Sequence, residues 1–61
     1  MEKRIIIITD YDYINNDVRI TRSEHYCVEF GKTNDDNHTL FDKAVKLLNI
    51  SKEKVWEWWV E

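Results

Sequence analysis

Residues 5–20 read IIIITDYDYINNDVRI. The first half of this stretch is β-branched and apolar on both faces, which predicts a covered strand over residues 3–14. The Asn-Asn-Asp triplet at 15–17 predicts a hairpin turn, because Asn and Asp tolerate positive φ angles. Val18 and Ile20 then alternate with polar residues, which indicates a second strand with one solvent-facing side.

The residues after this hairpin predict further strand structure. Tyr26, Val28 and Phe30 alternate with polar residues, so they predict the inner face of a third strand. A turn or bulge over residues 21–24 separates it from the second strand in this interpretation. Without that turn, residues 18–30 form one long bent strand, because the alternation keeps the same phase.

A helix is the clearest element of the sequence. Apolar residues recur at helical spacing between Leu40 and Leu48, which predicts one wide apolar face over residues 38–49. Asn37 or Thr39 is the expected N-cap. The residues expected to pack together are Leu40, Ala44, Leu47 and Leu48 of the helix and Ile5, Ile7, Val28 and Phe30 of the sheet.

Residues 51–61 fit two structures. Ser51 followed by Lys-Glu-Lys is typical of a helix N-cap and first turn, whereas the sequence VWEWWV at 55–60 favours a strand. We favour a helix over residues 52–60, because the capping signal is local and the strand pattern alternates imperfectly. The expected fold is therefore α+β: a small antiparallel sheet of two or three strands, packed by one amphipathic helix and closed by a short C-terminal helix or strand.

The segment from Ala44 to Trp58 resembles the helix-turn-helix family. The resemblance places a small residue at Ala44, a turn at Asn49 and a core contact at Trp58. It implies a helical hairpin and, as an alternative function, nucleic-acid binding. Glu53 and Glu57 of the second helix would oppose DNA phosphates, so the structural implication is the stronger one.

Length and composition bound the class of protein. The 61 residues make a single small domain, 1–61, whose one cysteine, Cys27, excludes an internal disulfide. The net charge is -3 with both signs interleaved, and the sequence contains no basic stripe of the kind that nonspecific nucleic-acid binding needs. The isoleucine run is too short for a signal peptide or a membrane span, so we expect a soluble cytoplasmic protein.

Two pairs of residues could carry chemistry, and both are incomplete. Asp10 and Asp12 share one strand face, as metal-binding or nucleophilic aspartates do, but no second acidic cluster completes the set. His25 and Cys27 could give zinc two ligands, whereas a structural zinc site needs four. A single glycine argues against a phosphate-binding loop. We therefore expect no catalytic residues, no metal site and no cofactor.

The tryptophans near the C-terminus are the most informative feature for function. Trp56, Trp58 and Trp59 lie within four residues, and neither a helix nor a strand can direct all three inward. In the favoured helix, Trp58 and Trp59 face the core and Trp56 lies outside together with Val60. Tryptophan and tyrosine are enriched at the energetic centres of interfaces, so an exposed indole favours partner binding.

We accordingly expect a non-enzymatic protein-binding module, such as a small phage-type or bacterial regulator or inhibitor that occludes a larger partner protein. The candidate partner-binding residues are Trp56, Trp59, Val60, Tyr11 and Tyr13. A second copy of the chain is a further candidate partner, and no membrane is expected to be one.

Overall fold

A three-stranded antiparallel sheet and one helix make up the fold. The computed structural model describes residues 2–61. The elements in chain order are β1 (Glu2–Asn15), β2 (Val18–Lys32), α1 (Asn37–Leu48), a 3-10 turn (Lys52–Lys54) and β3 (Val55–Val60). The strand order in the sheet is β2-β1-β3, with β1 antiparallel to both neighbours. The expected α+β class is confirmed.

The hairpin between β1 and β2 follows from its turn residues. Asn16 and Asp17 have φ angles of 52° and 64°, the left-handed region that Asn and Asp accept. Two central residues with positive φ match the twist of the flanking strands, which is why such two-residue turns favour hairpins. Asn15 consequently pairs with Val18, and the hairpin turn expected from the sequence is confirmed.

β2 is one continuous strand, so the expected turn or bulge over residues 21–24 is wrong and the long-strand alternative is confirmed. Thr21 pairs with Asp12, and the ladder to β1 continues without a break through this region. A register shift occurs only near the end of the strand, beside Gly31, whose φ is +71°. The expected inner face is confirmed, because Tyr26 and its alternate neighbours are half-buried.

α1 begins at a cap other than the two expected from the sequence. The Asp36 side chain accepts a hydrogen bond from the Thr39 amide at 2.8 Å, so Asp36 is the N-cap, and Asn37 and Thr39 are not. The helix ends at Leu48, and its C-cap Asn49 has a left-handed conformation, so the turn expected at Asn49 is confirmed. No helix among residues 2–61 is long and apolar enough to cross a membrane.

The core lies between α1 and the β1–β3 half of the sheet. Ile5, Ile7, Leu40 and Ala44 are fully buried there. Leu47 was expected in the same core and is 72% exposed, so that expectation is wrong. Helical spacing puts Leu47 on nearly the same side of α1 as the buried Leu40, so its exposure shows that this side of the helix is covered near Leu40 and is not covered two turns later.

Residues 52–60 do not form the favoured helix, and the strand alternative is confirmed for 55–60. Ser51 does cap a turn, because its Oγ accepts from the Glu53 amide at 3.3 Å, but this turn is a single 3-10 turn that ends at Lys54. β3 then pairs with β1, where aromatic and β-branched side chains pack on a strand of isoleucines. The second helix of the helix-turn-helix interpretation is therefore absent from residues 52–60.

A bulge in β3 sets the direction of its side chains. Val55 pairs with Thr9 and Glu57 pairs with Ile8, so Trp56 is an extra residue in the ladder. The extra residue brings Val55 onto the same face as Trp58, toward the helix. A regular strand would have put these two side chains on opposite faces.

Candidate protein-interaction site

β1 and β2 extend well beyond the rest of the molecule as a two-stranded ribbon. β3 pairs with β1 only over residues 5–9, whereas β2 pairs with β1 along its whole length. Residues 10–23 therefore form a hairpin with no third strand beside it, here termed the arm. At about 3.4 Å per residue the arm is roughly 20 Å long, which explains why the molecule measures 48 × 16 × 14 Å.

One face of the arm is mainly apolar, although Arg22 of β2 also lies on it, directly opposite Tyr11. Strand alternation puts Tyr11 and Tyr13 on the face that carries the buried core residues of β1, and their neighbours on β2 include Ile20 and Val18. We term these four residues the Tyr face. The two tyrosine rings contact each other, with centroids 5.8 Å apart. Tyr11 is 49% exposed and Val18 is 58% exposed, so the arm offers apolar surface to solvent.

The opposite face of the arm is polar and is held by an ion pair. An Nη of Arg19 donates to a carboxylate oxygen of Asp12 at 2.6 Å. This hydrogen bond, together with one from Thr21, lowers the pKa of Asp12 below its usual value. The pair joins the two strands near the tip. Ile14, also on this face, is 76% exposed.

The candidate residues of β3 fall into different environments. Trp56 is 67% exposed at the bulge. Trp59, which the favoured helix would have directed into the core, lies on the sheet face that α1 does not cover, and its Nε1 donates to Glu61 at 2.8 Å. That hydrogen bond is the largest cause of the lowered pKa of Glu61. Val60 is half-buried against the core, so it offers little surface to a partner.

The two groups of candidate residues are neighbours along β1. The first residue of β3, Val55, pairs with Thr9, and Tyr11 lies two residues farther along the same strand. Trp56 therefore lies at the base of the arm, and the tyrosines lie along it. A cleft between the base of the arm and the 3-10 turn, lined in part by Tyr11 and Lys54, separates the arm from the body.

The two apolar residues that flank the turn were not predicted from the sequence to be part of the site. Ile14 and Val18 lie on either side of the Asn-Asn-Asp triplet and are both strongly exposed. Apolar side chains next to a hairpin turn can indicate exposed apolar surface, because no second layer of the protein packs on the tip of a two-stranded ribbon. The length of the arm could not be read this way, because it depends on where β3 ends.

The residues with metal-binding or nucleophilic side chains do not converge. The Asp12 carboxylate forms a salt bridge with Arg19, and the backbone of Asp10 lies opposite Ser23 in the β1–β2 ladder. His25 and Cys27 are exposed on the sheet face that α1 leaves open. Within residues 2–61, no three His, Cys, Asp or Glu side chains lie close enough together to hold a metal ion.

Comparison with models of known families, with curated proteins and with solved structures found no match. The candidate site is therefore defined by the chain's own geometry: an arm with an apolar Tyr face, and a tryptophan at its base.

Proposed function

We propose that this chain is a non-enzymatic protein-binding module that acts in the cytoplasm as a small regulator or inhibitor, and that its arm occludes part of a larger protein. The observation that carries the proposal is the Tyr face. Tyr11 and Val18 are exposed on a ribbon that no other element of residues 2–61 covers.

The energetics of a ribbon favour this function. A two-stranded hairpin is only marginally stable in water when nothing packs on it. Each large apolar side chain that moves from solvent into an interface contributes about 1.5–3 kcal/mol. A partner that covers the Tyr face therefore stabilises the hairpin of the arm, and the apolar surface that it buries contributes to the affinity of the complex.

The arm fits a protein partner better than a nucleic acid. The tyrosine rings and the aliphatic side chains beside them form an apolar strip, and protein interfaces are enriched in such residues at their centres. The arm contains three aspartates against two arginines, and the whole chain has a net charge of -3. Binding to nucleic-acid phosphates needs an excess of positive charge.

Site-specific photocrosslinking tests the proposal in the organism that encodes the chain. A benzoylphenylalanine at Tyr11 is a conservative replacement, because one exposed aromatic ring replaces another. The matched control is the same probe at Leu47, which is 72% exposed on α1. We expect a discrete crosslinked protein with the probe at Tyr11 and not with the probe at Leu47.

Two results would contradict the proposal. One is the same set of crosslinked proteins from both positions, which indicates nonspecific contact. The other is crosslinking to nucleic acid and to no protein. Circular dichroism of both probe-bearing proteins is needed to show that each retains its fold.

A further inference from the structure

The backbone of β3 offers unpaired hydrogen-bonding groups at the edge of the sheet. Arg4 and Glu61 exchange both of their backbone hydrogen bonds, at 3.0 and 2.8 Å. In an antiparallel ladder such pairs alternate with pairs that make no bonds to each other. Applied to the register of β1 and β3, this alternation directs the N–H and C=O of Trp59 toward β1. It directs those of Trp58 and Val60 away from β1.

Within residues 2–61 these outward groups have no strand to pair with, because β3 is the last strand on its side of the sheet. Natural edge strands are usually protected by short length, bulges, lysines, prolines or a covering element. β3 is short and has its bulge at Trp56, but the sequence VWEWWV has one charged residue and no proline, and the ladder is regular from Glu57 to Val60. The opposite edge strand, β2, contrasts with it and carries five charged side chains: Arg19, Arg22, Glu24, Glu29 and Lys32.

We propose that the edge of β3 pairs with β3 of a second copy of the chain, antiparallel, about a two-fold axis at Trp58. The result is a dimer with one continuous six-stranded sheet. This inference does not rest on the proposed function of the arm, since the arm lies outside the paired edge.

The register follows from hydrogen bonding and charge. An axis at Trp58 pairs the outward groups of Trp58 with those of the same residue in the second copy, and pairs Val60 with Trp56. Glu57 then lies opposite Trp59 of the second copy, so no two carboxylates face each other. Other registers are worse: an axis at Glu57 places two Glu57 side chains together, and an axis at Trp59 places Glu57 opposite Glu61.

The helix does not obstruct this arrangement. A two-fold axis perpendicular to the sheet puts both copies of α1 on the same face of the extended sheet. Because α1 lies over β1 and β3, the two helices would run side by side across the new junction. The stack of Phe41 on Trp58 remains within each copy. Two-fold pairing is also closed, so it ends at the dimer.

Sedimentation velocity over a wide concentration range tests the dimer directly. We expect the wild-type mass to rise from 7.5 kDa toward twice that value. Trp56→Lys places a lysine on the pairing edge at an exposed position and should abolish the dimer. The control Leu47→Lys makes the same change of charge at an exposed apolar residue of the helix and should leave the dimer intact.

Disulfide trapping tests the register. Glu57→Cys and Trp59→Cys chains, both also carrying Cys27→Ser, are mixed and oxidised. An axis at Trp58 predicts that the mixed 57–59 disulfide forms in excess over either symmetric one. A predominant 57–57 disulfide would overturn the register.

The dimer proposal itself has two clear failures. A wild-type protein that remains monomeric at the highest concentration would refute it. So would a dimer that persists in folded Trp56→Lys, since that dimer must use another surface. The arm variant Tyr11→Ala should leave the dimer unchanged, so failure of this inference and failure of the proposed arm function are distinguishable.

Discussion

The indole of Trp58 stacks on the ring of Phe41, with centroids 4.5 Å apart and an angle of 17° between the planes. His38 meets the same indole edge-on, at 5.6 Å. This stack joins the edge strand β3 to α1, two elements that are separated in the sequence by only a short turn. It is the main aromatic contact of a small core whose largest fully buried side chains are two isoleucines and a leucine.

The first prediction concerns this stack. Phe41→Leu and Trp58→Leu keep apolar bulk but remove the ring contact. A double-mutant cycle of unfolding free energies should give a coupling of about 0.5–1.5 kcal/mol between the two positions. Trp56→Leu is the control, since an exposed residue should change the stability by less than about 0.5 kcal/mol. Additive effects of the two substitutions would show that the stack contributes nothing specific.

The second prediction separates two leucines of the same helix. Leu40 is fully buried, so Leu40→Ala should cost about 2–5 kcal/mol, which is a large part of the stability of a domain this small. Leu47→Ala should cost less than about 0.5 kcal/mol, because that side chain is exposed. Chemical denaturation of the two variants under identical conditions measures the difference. Equal costs would mean that α1 lies differently on the sheet.

Local patterns accounted for much of the fold. Helical spacing predicted α1 to within one residue at each end, since the observed bounds are Asn37–Leu48. The Asn-Asn-Asp triplet predicted the hairpin, and Asn49 the end of the helix. Each of these features depends on residues that are neighbours in the sequence, so a short window contains the information.

Features that depend on pairing between residues far apart in the sequence could not be predicted from local patterns. The cap at Ser51 correctly indicated a turn, but pairing with β1 decided that residues 55–60 continue as a strand. The imperfect alternation of VWEWWV counted against a strand, whereas its physical cause is the bulge at Trp56. The exposure of Leu47 and the length of the arm likewise depend on where α1 and β3 lie on the sheet.

The third prediction uses the hairpin turn. Asp17 has a φ of 64°, a conformation that glycine adopts at no steric cost and alanine does not. Asp17→Gly should stabilise the fold slightly or leave it unchanged, whereas Asp17→Ala should destabilise it by about 1 kcal/mol. Thermal unfolding of the pair tests this. If alanine is as well tolerated as glycine, the turn does not have two residues with positive φ.

The fourth prediction concerns acid. The hydrogen bonds from Thr39 lower the pKa of the Asp36 carboxyl, most strongly through its side chain. A carboxyl whose pKa is lower in the folded state stabilises the fold above its unfolded pKa of about 3.9. That contribution is lost as the pH falls through the lower, folded value. Carbon-detected NMR titration should therefore give Asp36 a pKa below the unfolded value.

Asp36→Asn is the matched variant for this effect, because asparagine also caps helices but does not titrate in this range. Its stability should fall less than that of the wild type when the pH is lowered from about 6 to about 2. Some acid dependence should remain, since the pKa values of Asp12, Asp42 and Glu61 are lowered as well. An unchanged acid dependence would remove Asp36 from this set.

The fifth prediction separates binding from folding on the arm. Tyr11→Ala and Val18→Ser each remove side-chain surface that is about half exposed to water in the free protein. The unfolding free energy should therefore change by only about 0.5 kcal/mol for Val18→Ser, and somewhat more for Tyr11→Ala, which also loses the contact with Tyr13. If the Tyr face is the centre of the interface, Tyr11→Ala should weaken the complex with the protein that photocrosslinking identifies by 2 kcal/mol or more.

Trp56→Ala gives the comparison that makes this prediction specific to the arm. Trp56 is the more exposed of the two aromatic residues and lies at the base of the arm, beside the start of β3. An interface centred on the Tyr face should lose less affinity through Trp56→Ala than through Tyr11→Ala, because contacts at the rim of an interface contribute less than those at its centre. Isothermal titration calorimetry with each folded variant measures both losses. A larger loss at Trp56 would move the centre of the interface from the arm to the edge of β3, and the partner would then compete with the second copy of the chain for the same strand.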